Sequence, residues 1–358
     1  MIIALDATTI GSGLGGDETL VLSMLRGLAA TIQPEDQVLV LAAPGVELPP
    51  EVTAHPGFRV DRAVRGSGLS HYAVMLPGWL RDLVARGPRP DVAISLTHAP
   101  LRSPVPVAHL VTDLSFVHVP DAYPWRTRFR LQTLIRAQIR RAPIVLTISE
   151  FCRDDLVASY RLAPERVKVI PIAIDAPRTP DPAAQARLAD RGVRAPYLLY
   201  LGNLHPRKNV PLAISAFRAQ RAADPRLAEH RFVVAGRKWF GSDAEARAAK
   251  GAGPDEIVFL DRVDDAEREV LLRDAEALVY LSTFEGFGLP PLEAMARDTV
   301  VLASDVTAVP EVCADAAVLV DPTDRTQIES GLSRVLTDAD LRAQLLERGR
   351  ARVGHYDV

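Results

Sequence analysis

Residues 277–296 read ALVYLSTFEGFGLPPLEAMA, an apolar run followed by a glycine-containing turn and two prolines. The apolar run predicts a buried strand, and the paired prolines suit the first turn of a helix. Glu293 would then lie in the first turn of that helix and Glu285 in the loop before it. An acid near a helix N-terminus offsets the helix dipole, which explains Glu293 but not Glu285. Because a carboxylate can accept two hydrogen bonds from a vicinal diol, the two acids around this turn favour a nucleotide-sugar ligand.

Apolar runs alternate with helical patterns along almost the whole chain. Their continuous apolar character is typical of parallel strands buried on both faces, and repeated β-α-β alternation implies right-handed crossovers. The alternation stops at 175–190, which begins with the proline-rich and aspartate-rich DAPRTPDPAAQ and predicts a linker. We therefore predict an α/β protein of two Rossmann-like, doubly wound parallel-sheet domains facing a cleft, at 1–174 and 191–358. The predicted strands are 2–7, 37–43, 58–64, 92–96, 106–113, 144–149 and 167–174, then 197–202, 231–236, 257–261, 277–282, 299–304 and 317–321.

The composition is that of a globular protein, with 48% hydrophobic and 24% charged residues in a chain of 358. The formal net charge of −3 gives no basic field of the kind that binds nucleic acid. Cys152 and Cys313 fit no metal or disulfide spacing, and the N-terminus has no signal-peptide pattern, so we expect a cytoplasmic protein with no metal site. No run approaches the roughly 18–20 apolar residues that span a bilayer.

A glycine-rich loop, GSGLGGDET (11–19), follows the first predicted strand. Glycines there let the backbone approach an anionic or sugar ligand, with a helix N-terminus behind it. Gly11, Gly13 and Gly16 match the dinucleotide fingerprint by letter, but the acid expected at the end of the next strand is missing. A βα loop that binds no ligand is the alternative interpretation.

A basic pair lies in YLGNLHPRKNVPLAISAF (200–217), again directly after a predicted strand. Arg207 and Lys208 precede a helix, where backbone N–H groups favour anions. Arginine as a planar fork and lysine as a mobile point charge together suit a diphosphate. Lysine occurs at only four positions, so its presence at 208 in an arginine-rich chain strengthens this prediction. A solvated helix start is the alternative.

One segment is strongly basic: PWRTRFRLQTLIRAQIRR (124–141) has six arginines and no acid, with apolar residues interleaved. The stretch from Arg126 to Arg141 could dock on an anionic membrane surface or a polyanionic acceptor. Such contact would place the protein peripherally at the inner face of a membrane. A solvated helix with one buried face is the alternative.

Several of these motifs resemble those of the retaining glycosyltransferases with the GT-B fold, glycosyltransferase family 4. FEGFGLPPLEAMA (284–296) resembles their E-x7-E motif, LGNLHPRKN (201–209) their donor-phosphate loop, and VTAVPEV (306–312) the short helix that follows. In the first half, TISEFCRDDLVASYRLAPERVKVIPIAID (147–175) resembles the segment that leads into the linker. The resemblance covers nearly the whole chain.

The resemblance implies a hexosyltransferase of carbohydrate biosynthesis that transfers a sugar with retention and without a metal. The donor would be a GDP- or UDP-sugar, which is a co-substrate rather than a cofactor, and the acceptor a saccharide, a lipid-linked molecule or a small molecule. Glu293 would hold the donor ribose and Glu285 the transferred sugar, while Arg207 and Lys208 would neutralise the leaving diphosphate. The further donor-binding positions that the resemblance implies are Gly15, Gly16, Asn203, Val263, Phe287, Gly288 and Leu289.

The chain departs from the family pattern in its first half. The family usually has His-Asp after the strand corresponding to 106–113, and here Thr112 precedes Asp113. A hydroxyl can hydrogen-bond a sugar but cannot carry charge. His98 and His118 are close in sequence, and for each a structural or surface role is the plainer interpretation. The resemblance also implies a final helix crossing back to the first domain, and the sequence ends before it.

Two alternative functions follow from these departures. One is a catalytically altered family member that acts as a partner subunit, which the threonine at 112 keeps open. The other is a GT-B sugar-nucleotide epimerase. The glutamate pair fits an epimerase less well, because epimerisation needs acid and base groups on both faces of the sugar ring.

Overall fold

The computed structural model describes residues 1–12, 15–63, 69–100, 102–170, 172–238, 243–253 and 255–356. Gly13 of the predicted glycine loop, residues 64 and 171 of two predicted strands and the last two residues of the predicted second domain lie outside these ranges. The chain forms two compact units, Met1–Ile174 and Asp175–Asp357. None of the helices in the described ranges has the length and hydropathy that a bilayer span requires.

The first unit is a parallel sheet of seven strands in the order β3-β2-β1-β4-β5-β6-β7. Strand β3 lies at one edge and is only half-buried, whereas β2 is buried almost throughout because its residues are nearly all apolar. The strands are β1 Ile2–Asp6, β2 Gln37–Ala42, β3 Phe58–Arg62, β4 Val92–Leu96, β5 Val107–Leu110, β6 Val145–Thr147 and β7 Val167–Val169. The helices are α1 Gly16–Thr31, α2 Pro50–Thr53, α3 Leu76–Arg86, α4 Ser115–His118, α5 Trp125–Arg141 and α6 Glu150–Tyr160, with a π-helical turn at His71–Met75.

The second unit is a parallel sheet of six strands in the order β10-β9-β8-β11-β12-β13. Its central strands β8 and β11 are buried at every residue, as their continuous apolar sequences predict. The strands are β8 Tyr197–Leu201, β9 Arg231–Ala235, β10 Ile257–Leu260, β11 Ala277–Tyr280, β12 Val300–Ser304 and β13 Val318–Val320. The helices are α7 Pro182–Asp190, α8 Val210–Ala223, α9 Asp243–Ala248, α10 Asp265–Asp274, α11 Leu289–Met295, α12 Val309–Cys313, α13 Arg325–Thr337 and α14 Ala339–Val353.

The prediction of two doubly wound parallel sheets is confirmed, and the structure adds local detail at two places. The segment 175–190, predicted as a linker, contains helix α7. The Asp181 carboxylate caps its start by accepting from Ala183 N, Pro182 occupies its first position, and Ala184 and Leu188 bury one face. The last predicted strand of the first unit is shorter than 167–174, since β7 ends at Val169.

Candidate functional site

The loops that follow β8 and β11 meet at the carboxyl ends of these two central strands of the second sheet. These strands are hydrogen-bonded neighbours, and the strand order reverses between them. Ligands of open α/β sheets bind at such a reversal, outside the carboxyl ends of the strands. Thr283 helps to join the loops, donating to Arg207 O through its backbone N at 2.7 Å and through its Oγ1 at 3.2 Å.

The loop after β8 has a compact, internally bonded backbone. A 3₁₀ turn, Pro206–Lys208, is capped by the His205 side chain, which accepts from Arg207 N. Asn209 has a left-handed φ of 56° and precedes α8, and its Nδ2 donates to Pro322 O at 2.6 Å. These contacts fix the direction in which the side chains of Arg207 and Lys208 leave the loop.

Glu285 pairs with both of the basic residues predicted for the diphosphate. Arg207 Nη1 lies 2.8 Å from Glu285 Oε2, and Lys208 Nζ contacts Glu285 Oε1. Glu285 is only 5% exposed. Burial raises the pKa of its carboxyl, but the charges of Arg207 and Lys208 outweigh burial and hold the pKa at about 2. The structure therefore brings three of the predicted residues into one cluster.

Among the described residues of this cluster, two basic side chains face one carboxylate. Both basic side chains are largely withdrawn from water, at 16% and 12% exposed. Lys208 Nζ also donates to Tyr280 Oη at 3.0 Å and lies 5.0 Å from the centre of that ring. A positive centre of low exposure beside the N-terminal region of a helix can stabilise a diphosphate more strongly than surface cations can.

Glu293, the second acid of the opening stretch, has a separate partner. It is 5% exposed and forms an ion pair with Arg268 of α10. The prediction that Glu293 lies in the first turn of its helix is wrong: α11 begins at Leu289, before the two prolines, which makes Glu293 its fifth residue. Its charge is therefore balanced by a guanidinium rather than by the helix start.

Hydrogen bonds and packing fix the backbone of the turn between Glu285 and Glu293. Glu285 N donates to Thr307 Oγ1 at 3.0 Å. Phe287 is 6% exposed and packs edge-on against Tyr356, with 5.6 Å between ring centres. Gly288 precedes α11 with a φ of 120°, which a residue with a side chain rarely adopts, and Leu289 begins the helix. The backbone between the acids thus has a defined shape in which to meet a ligand.

The four remaining predicted donor-binding residues lie outside the cluster of Arg207, Lys208 and Glu285. Asn203 is exposed in the loop after β8, and Val263 is half-buried between β10 and α10. In the first unit, Gly15 precedes α1 with a φ of 51° and Gly16 is the first residue of that helix. The structure places all four on loops at strand ends or at the start of a helix, where a ligand can be reached.

The Thr112–Asp113 pair follows β5 in the first unit. Thr112 is half-buried and its carbonyl accepts from Cys152 Sγ at 3.2 Å. Asp113 Oδ1 accepts from Ser115 N at 2.8 Å and from Ser115 Oγ at 2.5 Å. One oxygen of this carboxylate therefore shapes the turn into α4.

The two nearby histidines have structural contacts. His98 packs edge-on against Tyr72 with 5.4 Å between ring centres, and burial lowers its pKa. His118 is exposed and its Nε2 lies 2.7 Å from Asp155 Oδ1. These contacts agree with the plainer interpretation of each.

Sequence reasoning missed three residues of this region: Arg268, Tyr280 and Thr307. Tyr280 ends a strand that was predicted, and Thr307 lies in the quoted segment 306–312, so both were within reach. Arg268 occurs in an ordinary charged helix sequence and carries no signal of its own. In the described ranges, no group of three or more His, Cys, Asp or Glu side chains is arranged to hold a metal ion, and metal independence stays a prediction.

Two protein families match the chain, one for each half. Residues 190–352 match the family described as Glycosyl transferases group 1, and residues 14–178 match Glycosyltransferase Family 4. The chain is 29% identical over 252 residues to O-antigen chain mannosyltransferase B of Escherichia coli, covering 68% of this chain and 65% of that protein. It is 28% identical over 380 residues to the D-inositol 3-phosphate glycosyltransferase of Salinispora arenicola, covering 96% and 84%. The matched region spans just under two thirds of the mannosyltransferase.

Solved structures show the same architecture over the whole chain. Sucrose-phosphate synthase from Thermosynechococcus elongatus superposes with a TM-score of 0.72 at 19% identity, covering 99% of this chain and 94% of that one. WaaG, a glycosyltransferase involved in lipopolysaccharide biosynthesis, superposes with a TM-score of 0.69 at 16% identity, covering 99% and 95%. At these identities the likeness shows the fold.

Proposed function

The chain belongs to glycosyltransferase family 4, with the GT-B fold, and we propose that it transfers a hexose from a nucleotide-diphosphate donor to an acceptor hydroxyl. The observation that carries the proposal is the cluster of Arg207, Lys208 and Glu285 at the strand-order reversal of the second sheet. The bond between the anomeric carbon and the diphosphate breaks, its electron pair stays with the diphosphate, a bond to the acceptor oxygen forms, and the proton of the acceptor hydroxyl passes to the departing diphosphate. Negative charge develops on the leaving diphosphate, where the two cations would stabilise it.

Glu285 is suited to binding rather than to covalent chemistry. With its pKa held at about 2, its carboxylate is a weak base at neutral pH. It can accept hydrogen bonds from sugar hydroxyls while it orients the basic pair. We propose that Glu285 contacts the transferred sugar and that transfer proceeds with retention and without a metal. Glu293 would hold the ribose, with Val263 near the base and the 287–289 backbone near the sugar.

The donor and acceptor follow less directly from the site. Two relatives are named O-antigen chain mannosyltransferases, so mannose is the sugar that we propose first, on a GDP or UDP carrier. The first unit would bind the acceptor, which we propose to be a saccharide or a lipid-linked molecule. Thr112 would supply a hydroxyl to a bound sugar, and Gly15 and Gly16 would let the backbone approach a phosphate.

Helix α5 supports a lipid-linked acceptor at a membrane. Trp125 and Phe129 are one turn apart and 68% and 64% exposed, whereas a merely solvated face would carry polar residues there. Arg126, Arg130 and Arg136 are exposed on the same helix. Exposed aromatic rings flanked by arginines suit the interface of an anionic bilayer. We propose that this face makes peripheral contact with anionic lipid.

The decisive experiment is nucleoside diphosphate release from a panel of GDP- and UDP-sugars, with acceptor and EDTA present. Transfer requires acceptor-dependent release that persists in EDTA, and product anomer analysis by NMR tests retention. An epimerised nucleotide sugar formed without acceptor would instead favour the epimerase. Donor binding without turnover on any acceptor, together with co-purification of a second transferase, would favour the partner-subunit alternative.

A further inference from the structure

The ion pair between Arg268 and Glu293 belongs to a network of four alternating charges between α10 and α11. Arg297, just after α11, donates through Nε and Nη2 to Glu269 Oε2 at 2.9 and 2.7 Å. Its Nη1 donates to the backbone carbonyl of Glu293 at 3.0 Å. Arg297 is thus committed to Glu269, and within the described ranges Arg268 is the one ion-pair partner found for the Glu293 side chain.

The two arginines differ in exposure, and this difference separates their roles. Arg297 and Glu269 are 8% and 5% exposed, as expected of a structural pair. The side chain of Arg268 is 32% exposed, although the side chain of its partner Glu293 is only 7% exposed. Arg268 therefore lies between solvent and a buried carboxylate.

The chemistry of the pair suits a ribose-binding carboxylate. A buried carboxyl with no cation beside it tends to take up a proton, and a protonated carboxyl loses acceptor capacity. Arg268 contacts Oε1 of Glu293, and a carboxylate has several lone pairs with which it can also accept hydrogen bonds from a diol. A carboxylate accepts such hydrogen bonds more strongly when it is ionised.

We propose that Arg268 is a positioning residue for donor binding, which keeps the Glu293 carboxylate ionised and oriented to accept hydrogen bonds from the ribose hydroxyls. This inference rests on the proposed function, in which Glu293 holds the ribose. Arg268 acts through Glu293, so its loss should weaken recognition of the ribose while the diphosphate contacts of Arg207 and Lys208 remain.

The test compares a ribonucleotide with its deoxy analogues. The nucleoside diphosphate that most raises the melting temperature is titrated by calorimetry, followed by its 2′-deoxy and 3′-deoxy forms, from pH 5.5 to 8.5. The quantity compared is the ratio of the ribonucleotide's affinity to the affinity of each deoxy form. All three ligands carry the same phosphates, so the titration of the phosphates cancels in this ratio. In the unmodified protein we expect the ribonucleotide to bind more tightly than either deoxy form at every pH, by a factor of about ten or more.

In Arg268→Gln we expect that ratio to fall to about threefold or less near pH 6 and to recover as the pH rises, because the carboxyl then ionises without help. Arg268→Lys, which restores the charge but not the planar fork, should show a pH-independent ratio of intermediate size. Arg273→Gln is the matched control, because Arg273 lies on α10 but pairs with Asp274. Other ionisable groups around this pair include Asp175, Asp265, Glu269 and Arg297, whose charges act on Arg268, and Asp298, Glu311, Arg350 and Arg352, which lie on or next to the elements that pack against α11.

The outcomes separate a failure of the proposed function from a failure of this inference alone. If the unmodified protein binds ribo and deoxy forms equally, the ribose role of Glu293 in the proposed function fails, and this inference with it. If the ribose preference persists unchanged in Arg268→Gln, or the ribonucleotide binds more tightly, this inference alone is wrong, since Arg268 would then be inert or a competitor of the ribose. If Arg268→Gln does not fold, Arg268→Lys decides, and an unchanged ratio there overturns the inference.

Discussion

Arg207 Nη1 lies 2.8 Å from Glu285 Oε2, although the two residues are 78 positions apart in the chain. The contact exists because the strands that precede them, β8 and β11, are paired in the sheet. It joins a residue predicted to bind the diphosphate with a residue predicted to bind the sugar. A change in either side chain should therefore affect both parts of the donor.

Replacing Lys208 with alanine should lower the turnover number of the enzyme. Removing one preorganised charge at a site of developing negative charge typically costs about 10²–10³-fold in kcat. We expect a loss of that size in Lys208→Ala, measured as nucleoside diphosphate release at saturating donor. Lys250→Ala is the matched control, since Lys250 is exposed and the hydrogen bonds that it makes to the described residues use its backbone N and O, to Arg247 and Arg218. Equal activity of Lys208→Ala and Lys250→Ala would show that Lys208 does not stabilise the leaving diphosphate.

Glu285 should make stability depend on pH in the acidic range. Its folded pKa of about 2 lies below its ordinary value of 4.5, so its contribution is fully present above about pH 4.5 and is lost as the pH falls toward 2. A depression of this size corresponds to about 3 kcal/mol at neutral pH. Glu285→Gln should therefore be less stable than the unmodified protein at pH 7, and the difference should shrink between pH 5 and 3.

Urea unfolding followed by circular dichroism at several pH values measures this difference. The control is Glu329→Gln, which breaks the surface pair with Arg325 and should change stability by about 0.5 kcal/mol or less. A difference between Glu285→Gln and the unmodified protein that stays constant from pH 7 to 3 would show that the basic pair does not hold the carboxyl ionised.

Gly236, which follows β9, packs against the start of the loop that carries Arg207 and Lys208, and this contact should not tolerate a side chain at Gly236. A Cβ at this position would lie 1.8 Å from the carbonyl oxygen of Gly202, so backbone must move. We expect Gly236→Ala to lower stability by about 1–3 kcal/mol and to weaken nucleotide binding in a thermal-shift assay. Gly253→Ala, where a Cβ would meet nothing within 4 Å, should behave like the unmodified protein. A fully stable Gly236→Ala with normal binding would contradict the packing of these loops.

The exposed face of α5 should bind anionic vesicles. We expect co-sedimentation with vesicles of phosphatidylcholine containing phosphatidylserine, weaker at high salt and absent with phosphatidylcholine alone. Each arginine near such a surface contributes about 1 kcal/mol, so Arg126→Gln with Arg130→Gln should lower binding about tenfold or more. Trp125→Ser with Phe129→Ser should lower binding in all salt conditions.

A second arginine pair controls for charge in the vesicle experiment. Arg325→Gln with Arg334→Gln removes the same charge from the exposed surface of α13 and should leave binding unchanged. Equal losses from both pairs would mean that net charge, rather than the face of α5, governs vesicle binding. Binding that survives both the arginine and the aromatic changes on α5 would contradict the proposed surface.

The candidate site was partly predictable from local sequence. Glu285, Arg207 and Lys208 were found because each follows a recognisable strand, and the carboxyl ends of parallel strands share an edge. The helix start at Leu289 was misplaced because the prolines suit the first turn generally and do not mark its first residue. Helix α7 is not indicated by the segment as a whole, because the proline-rich composition of 175–181 is typical of a linker and the helix signals, a capping aspartate followed by alanines, begin only at Asp181.

The sequence by itself determined the two parallel sheets, since continuous apolar runs of strand length alternate with amphipathic helices and must be buried on both faces. It also determined which loops carry charge at strand ends. Only the tertiary structure decided which charge faces which: Glu285 pairs with Arg207 and Lys208, and Glu293 pairs with Arg268. The physical reason is that ion-pair partners are selected by distances of a few ångströms between elements far apart in the chain. Strand order and helix packing set those distances, and no local pattern encodes them.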